Sequence, residues 1–183
     1  MRVKDHAFVL LQHCLPKRLI TAIVYRIARI EARPVKDFLI RQFTRLYAVN
    51  TAEAMTPAGG WPTFNAFFTR ALKPGARAVT QEEGALACPC DGTVAERGDI
   101  VGRDVLQAVV SAKRRTYPLD AFLGDAKRAA PYVGGSFATI YLAPYNYHRV
   151  HVPCDGTLVG LHYEPGYLYS VNMTTAALVE SLY

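Results

Sequence analysis

The sequence has no long hydrophobic run of the kind that a membrane-spanning helix needs, which is about 18 uninterrupted apolar residues. Four Lys or Arg residues interrupt the only candidate region, between positions 17 and 29. A secretory signal is also missing, because Asp5, His6 and His13 lie where such a signal would be continuously apolar. With 51% apolar and 20% charged residues, the composition is that of a folded protein rather than a disordered chain. We therefore expect a folded protein in the cytoplasm.

Cysteine is too sparse for a secreted disulfide scaffold, and no Cys-x-x-Cys pair occurs. The four cysteines are Cys14, Cys88, Cys90 and Cys154. Buried free thiols are the expected state. The alternative is a zinc site made by the last three thiols and either His148 or His151, but Cys-Pro-Cys places two thiolates closer together than the usual zinc-ligand spacing. We expect no metal.

The formal net charge of +6 lies at one end of the chain. Residues 1–50 hold ten Lys or Arg residues and three acids, whereas residues 51–183 hold eleven and twelve. A basic segment of this kind is typical of a membrane-surface anchor or of a nucleic-acid arm. Because apolar residues are interleaved with the bases and no nucleic-acid motif is present, we expect contact with an anionic membrane and no nucleic-acid binding.

The first part of the sequence has helical periodicity. Predicted helices cover Ala7–Leu15, Lys17–Ile30, the residues from Pro34 to Val49, and a short segment capped by Thr63. The second helix has a stripe of Leu19, Ile20, Ile23, Ile27 and Ile30, and the third has one of Phe38, Leu39, Gln42, Leu46 and Val49. Both core packing and lipid contact remain open for these stripes.

From about Ala85 the sequence changes to short β-type runs separated by turn residues. Strands are predicted within Val101–Val110, Phe137–Leu142, Arg149–Val152 and Leu158–Tyr163, with a brief helical turn at Pro118–Leu123. We therefore predict an α+β fold. Its first two parts are basic amphipathic helices at 1–50 and a linker with a short helix at 51–84. Residues 85–183 are the N-terminal part of a mostly β domain, which is incomplete at the C-terminus.

Titratable residues concentrate in two turn-rich segments. Asp91 follows Cys-Pro-Cys and precedes a glycine, a context that is typical of a simple turn former. In the segment Tyr141–Pro153, His148 and His151 flank an arginine and combine proton transfer with anion binding. On a regular strand the two histidines would point to opposite faces, so joint action at one site requires a bend or a bulge.

At these residues the chain resembles the bacterial-type phosphatidylserine decarboxylases, which are pyruvoyl-dependent proenzymes. The resemblance covers nearly the whole chain in five ordered blocks. These are Thr63–Arg70 with Leu72–Arg77, the Cys90-Asp91-Gly92 turn, Lys113–Leu123, Tyr141–Pro153, and Tyr163-Pro165-Gly166 leading to Ser170-Val171-Asn172.

The resemblance implies a lyase that converts phosphatidylserine to phosphatidylethanolamine and carbon dioxide. A serine in a Leu-Gly-Ser-Thr motif cuts the chain and becomes the pyruvoyl cofactor, which binds the substrate amine as a Schiff base and accepts electrons. By the same resemblance, His151 activates that serine, Asp91 orients His151, and His148 serves the decarboxylation step. It also implies a homodimer, association with the cleaved C-terminal chain, and a peripheral position on the cytoplasmic side of the cell membrane.

The sequence departs from the family pattern in two places. Asn146 stands where many relatives have an aspartate, so this position can accept a hydrogen bond but cannot carry charge. No Leu-Gly-Ser-Thr motif occurs, and residues 174–183 are apolar enough to belong in a core and have no polar tail, so we expect a proenzyme cut short of its cofactor-forming serine. Such a chain is predicted to be inactive alone. The alternative is a catalytically silent peripheral membrane-binding protein.

Overall fold

A computed structural model describes residues 3–101, 104–107, 116–166 and 168–169. Within these ranges, four helices come first, and four short strands follow with two more short helices among them, which confirms the predicted α+β class. The helices are α1 Val3–Cys14, α2 Lys17–Ile27, α3 Arg33–Tyr47, α4 Phe64–Phe68, α5 Leu119–Leu123 and α6 Ala126–Ala129, the last followed by a 3₁₀ turn at Ala130–Tyr132. The strands are β1 Thr93–Asp99, β2 Asp104–Gln107, β3 Thr116–Pro118 and β4 Ser136–Tyr141.

The helix boundaries follow local sequence signals. Pro16 separates α1 from α2, and a proline lies in the first turn of α3, where its missing N–H costs nothing. The Thr63 hydroxyl accepts a hydrogen bond from the Ala66 N–H at 3.0 Å and so begins α4. Ala48 ends α3 in the left-handed conformation, with φ 50°. The four predicted helices are confirmed.

The apolar stripe of α2 is not packed into a core. The helix contains no buried residue, and Leu19, Ile23 and Ile27 are 59%, 47% and 42% exposed. Among the described residues, no single helix is long and apolar enough to cross a membrane. His6–Cys14 and Lys17–Ile27 together have sufficient length and apolar composition, but they are bent by 78° at the break between them.

The predicted stripe of the third helix is buried only in part, since Val49 is 6% exposed, and the aromatic contacts of the helix come from a residue outside that stripe. Phe38 and Leu46 of that stripe are exposed. Instead, the Phe43 ring lies edge-on against three phenylalanines of α4, with ring centroids 5.2 to 6.3 Å apart. Aromatic pairs favour this edge-to-face geometry. The completely buried Phe67 lies at the centre of the cluster and also contacts the Trp61 ring.

By their contacts, the described residues form two compact units. The first contains those of Met1–Thr21, Val94–Ile140 and His162–Tyr183, and the second contains Ala22–Thr93 and Tyr141–Leu161. In the first unit, β1 pairs with β4, and β2 pairs antiparallel with β3. Its core is formed by Ile100, Leu119 and Ala129, against which Leu123 and Phe137 pack. The division at 1–50, 51–84 and 85–183 was made on composition and stays a prediction.

The β predictions have mixed outcomes. The strand at Phe137–Leu142 and the helical turn at Pro118–Leu123 are confirmed as β4 and α5. Strands at Arg149–Val152 and Leu158–Tyr163 are wrong, since neither segment is a strand. In the latter, Val159 is 97% exposed, so within the described part of the chain its side chain has no packing partner that would favour an extended backbone. Predictions for residues 102–103, 108–115 and 170–183 lie outside the described residues.

Candidate active site

Backbone pairing brings together the two segments that carry Asp91 and the histidines. The Ala87 N–H donates to the Pro153 carbonyl at 2.8 Å, and the His151 N–H donates to the Pro89 carbonyl at 2.7 Å. Each pair includes a proline, which has no N–H to return the bond, so the pairing does not extend into a ladder. This is the physical reason why the strand predicted around His151 does not form.

The Asp91 carboxylate is bound by the Arg77 guanidinium through two hydrogen bonds. Arg77 Nε donates to Oδ1 at 2.8 Å and Nη2 donates to Oδ2 at 2.6 Å. The same guanidinium donates to both carboxylate oxygens of Glu53, at 2.9 and 3.1 Å. These charge-assisted bonds hold the pKa of both carboxyls below the usual range and raise the pKa of Arg77. The two carboxylates and the guanidinium are therefore all charged near neutral pH.

A short backbone pairing places Glu53 beside Arg77. Ala54 forms an isolated antiparallel bridge with Leu72, and the Lys73 N–H donates to the Glu53 carbonyl at 2.9 Å. Glu53 is 24 residues from Arg77 in sequence, so only the folded chain brings the two together. The result is a carboxylate–guanidinium–carboxylate array in which Asp91 is the member nearest to the histidine segment.

The His151 ring is held by the side chain of Tyr147. The Tyr147 hydroxyl lies 2.9 Å from Nε2, and the two rings are nearly parallel with centroids 5.5 Å apart. Tyr147 is 7% exposed, whereas His151 is exposed. The second ring nitrogen, Nδ1, has no hydrogen-bond partner among the described residues. His151 is thus oriented on one side and open to solvent on the other.

The described side chains of Asp91 and His151 share no hydrogen bond, but Tyr147 interacts with both residues. The Tyr147 backbone interacts with the Asp91 carboxylate and contributes to the lowered pKa of that carboxyl, after the larger effect of Arg77. The Tyr147 hydroxyl contacts His151 at the same time. Tyr147 is therefore a common neighbour of Asp91 and His151.

The His148 imidazole is half-buried and makes different contacts. It stacks on the Phe68 ring with centroids 4.1 Å apart, and Nε2 lies 3.1 Å from the Ala143 carbonyl. Because a carbonyl only accepts, Nε2 carries the proton, and Nδ1 is the acceptor in the neutral ring. Burial lowers the pKa of His148, and the positive charge of Arg70 adds to this effect. The ring is therefore neutral near physiological pH and able to take up a proton.

Asn146 closes the turn that leads into the histidines. Its Oδ1 accepts from the Ala143 N–H at 2.7 Å, while its own backbone N–H donates to the Ala143 carbonyl at 2.9 Å. A neutral amide oxygen is sufficient for this contact. The missing negative charge at this position is not needed to form the turn.

The cysteines are free thiols, but the expectation that they are buried is wrong for three of them. Cys14, Cys88 and Cys154 are exposed, and Cys90 is intermediate. The Cys88 thiol lies 3.1 Å from the Cys90 carbonyl, and burial raises the pKa of Cys90. Across the described residues, no three His, Cys, Asp or Glu side chains are grouped to hold a metal ion.

The chain is similar to known proteins along its whole length. A family model described as Phosphatidylserine decarboxylase matches residues 64–182, and another described as PSD matches residues 7–48. The phosphatidylserine decarboxylase proenzyme of Pseudomonas aeruginosa (strain LESB58) is 45% identical over 185 residues, which cover 100% of this chain and 63% of that protein.

The chain belongs to the phosphatidylserine decarboxylase family. The proenzyme of Bordetella pertussis (strain Tohama I) is 43% identical over 100% of this chain and 61% of its own length. The chain therefore spans just over three-fifths of the length of these curated relatives.

Several residues around the candidate site had no role assigned from the sequence. Glu53, Arg77, Tyr147 and Phe68 contact Asp91 or the histidines directly or through one neighbour. Arg77, Tyr147 and Phe68 lie in the sequence blocks that carry the family resemblance, and this position could have marked them as candidate site residues. Glu53 lies outside those blocks and had no such signal.

Proposed function

We propose that this chain is the N-terminal part of a phosphatidylserine decarboxylase proenzyme, which converts phosphatidylserine to phosphatidylethanolamine and carbon dioxide. The pairing of residues 87–89 with 151–153, which places Asp91 and His151 on adjoining segments of a family member, is the observation that carries the proposal. The cofactor-forming serine would come from the part of the relatives' length that this chain does not span.

The residues around His151 fit a serine that is to be activated. His151 has an exposed ring with Nδ1 available, and Tyr147 orients the ring from the opposite side. A neutral imidazole in this position accepts the proton of a serine hydroxyl, which is otherwise a poor nucleophile near neutral pH. Asp91 acts by orienting the histidine segment, because its carboxylate interacts with the Tyr147 backbone.

The pyruvoyl group supplies an electron sink for loss of the substrate carboxylate. His148 is the residue of this chain suited to move a proton in that step, because its pKa is lowered and the Nδ1 lone pair is its acceptor. Phe68 fixes the plane of the ring by stacking on it. His148 and His151 thus have different surroundings, which suits two separate roles.

We place the protein on the cytoplasmic face of an anionic membrane, through its first three helices, and as a homodimer that retains its cleaved C-terminal chain. The exposed apolar side chains of α2 and the excess of basic residues at 1–50 support the membrane contact. The same features favour a second candidate, a catalytically silent membrane-binding protein.

The deciding experiment compares the 183-residue chain with a hybrid proenzyme. The hybrid joins residues 1–183 to the remaining C-terminal part of the Pseudomonas aeruginosa relative. We expect the hybrid to cut itself into two chains and to release carbon dioxide from phosphatidylserine, whereas the 183-residue chain stays intact and inactive. Carbon dioxide release by the shorter chain, or an uncut hybrid, would contradict the proposal. An uncut hybrid that binds vesicles would support the silent protein.

A further inference from the structure

Arg70 is an arginine almost completely enclosed in the second unit. Its side chain is 2% exposed, and it shares with Phe67 the lowest exposure of the large side chains that the structure describes. Its guanidinium carbon lies 5.5 Å from the centre of the Phe67 ring. A fully enclosed arginine is unusual unless it is paired with an acid.

The guanidinium of Arg70 has only part of its hydrogen-bonding capacity satisfied. Nη2 donates to the carbonyls of Tyr145 and Asn146, at 3.4 Å each, whereas Nε and Nη1 are buried without a partner among the described residues. No ion pair includes Arg70 in that part of the chain, because the neighbouring acids Glu53 and Asp91 are both bound to Arg77. Burial accordingly lowers the pKa of Arg70.

This arrangement is unfavourable for folding. A buried donor without an acceptor loses its hydration and gains nothing in return. A buried charge without a contacting counter-charge is more costly still, and apolar residues of similar volume often replace such charges with a gain in stability. If only stability mattered, an apolar side chain of similar volume, such as methionine or leucine, would therefore be favoured at this position. Arg70 needs another explanation.

The contacts of Arg70 lie at the entrance to the histidine segment. The two carbonyls that it binds belong to residues 145 and 146, which immediately precede Tyr147 and His148. In return, Arg149 Nε donates to the Thr69 carbonyl at 2.8 Å, and His148 stacks on Phe68. Residues 68–70 thus contact the segment 145–149 on both sides of His148 and at the ring itself.

We infer that Arg70 is a positioning residue, which holds the segment 145–149 so that His148 stacks on Phe68 and presents Nδ1 in one fixed place. The catalytic part of this role rests on the proposed function, whereas the placement of the ring does not. Arg149 supports the same placement from the other side of His148. Burying Arg70 lowers the stability of the fold, but it holds the His148 ring in one defined geometry.

The placement can be tested in the 183-residue chain by Arg70→Met. We expect thermal unfolding at the same temperature as the parent or higher, because an unpaired charge has been removed. In NMR spectra, the His148 ring protons should lose the shift caused by stacking on Phe68, and the pKa of His148 should rise. Arg128→Met is the control: Arg128 also donates to a carbonyl, that of Leu123 at 3.0 Å, but is exposed and belongs to the first unit.

The catalytic consequence can be tested in the hybrid proenzyme. Arg70→Met should still be cut into two chains but should lose turnover about 10²-fold, since small displacements of a reacting group have effects of this order. Arg149→Met, at an exposed position where folding is not at risk, should show the same NMR change with a smaller loss of turnover. If Arg70→Met does not fold, the Arg149→Met variant alone tests whether residues 68–70 and 145–149 position the His148 ring.

Unchanged His148 signals in these variants would overturn the inference. So would a lower unfolding temperature in Arg70→Met with parental turnover per folded molecule, which is the result expected of a purely structural arginine. If the parent hybrid is not cut, the proposed function fails, and the NMR comparison still decides whether Arg70 and Arg149 place the ring.

Discussion

The Tyr147 hydroxyl lies 2.9 Å from Nε2 of His151, and the two rings face each other nearly in parallel. The tyrosine is buried and its backbone interacts with the Asp91 carboxylate, so the phenol has a fixed place from which to orient the imidazole. The histidine has an exposed ring that would otherwise turn freely about its side-chain bonds.

Replacing Tyr147 with phenylalanine should therefore slow self-cleavage of the hybrid proenzyme without unfolding it. The ring stack is kept and one hydrogen bond is lost, which is worth about 1 kcal/mol and corresponds to roughly a fivefold slower rate. The time course of chain cleavage on a gel measures the effect. Tyr145→Phe is the matched control, because Tyr145 is 52% exposed and its hydroxyl has no hydrogen bond within the described residues. Equal rates in the two variants would count against an orienting role.

The Glu53–Arg77–Asp91 array predicts a specific acid sensitivity. The pKa values of both carboxyls are lowered below their ordinary values of 4.5 and 3.8, so the array stabilises the fold above those values and loses this effect as pH falls through the lower folded-state values. Arg77→Met should reduce the free energy of unfolding near neutral pH by about 1 kcal/mol, a modest figure because Arg77 is 40% exposed and screened by solvent.

Urea unfolding at a series of pH values measures this effect. The parent should lose stability more steeply in acid than Arg77→Met, and the two curves should converge at the lowest pH. Arg97→Met is a suitable control, since Arg97 is an exposed arginine of β1 without an ion pair among the described residues. Parallel curves for the parent and Arg77→Met would mean that the array does not set the acid response.

The two histidines should separate by function in the hybrid proenzyme. His151→Ala is expected to stay uncut, because the serine then has no base, and Asp91→Ala should resemble it in a milder form. His148→Ala should be cut normally but lose about 10²–10⁴-fold in turnover, the usual effect of removing a proton-transfer group. A cleavage gel and an activity assay on the same samples measure both. Normal cleavage in His151→Ala, or an uncut His148→Ala, would reverse the assignment.

The exposed face of α2 predicts binding to anionic vesicles that weakens with salt. Each Lys or Arg near an anionic surface contributes about 1 kcal/mol, which salt screens, and inserting an isoleucine adds about 1.5–3 kcal/mol. Ile23→Asp should therefore weaken vesicle sedimentation strongly. Val159→Asp introduces the same charge at a 97% exposed site outside the helices and should have little effect. Equal binding to neutral and anionic vesicles would contradict the prediction.

The sequence predicted those parts of the molecule that depend on neighbouring residues. Pro16 and Thr63 mark helix boundaries through local backbone geometry, so the first four helices could be located from the sequence. The packing face of α3 could not, because Phe43 is selected by the phenylalanines of α4 and not by periodicity within α3.

The site was predicted as a set of residues but not as an arrangement. Asp91, His148 and His151 were identified through family resemblance, and the first and last lie on paired segments. The partners of Asp91 were missed because Arg77 is 14 residues away and Glu53 is a further 24 residues from Arg77. Long-range partners of this kind depend on the folded backbone, which periodicity and turn signals do not describe.

The single hydrogen bonds at Ala87 and His151 make the joining of the two segments directly observable. Since Pro89 and Pro153 have no amide hydrogen, only the amides of Ala87 and His151 can be protected from deuterium exchange by this pairing. Their exchange rates report how often the Asp91 turn and the histidine segment separate. Deuterium uptake at two backbone positions thus measures the opening of the site without substrate, cofactor or turnover.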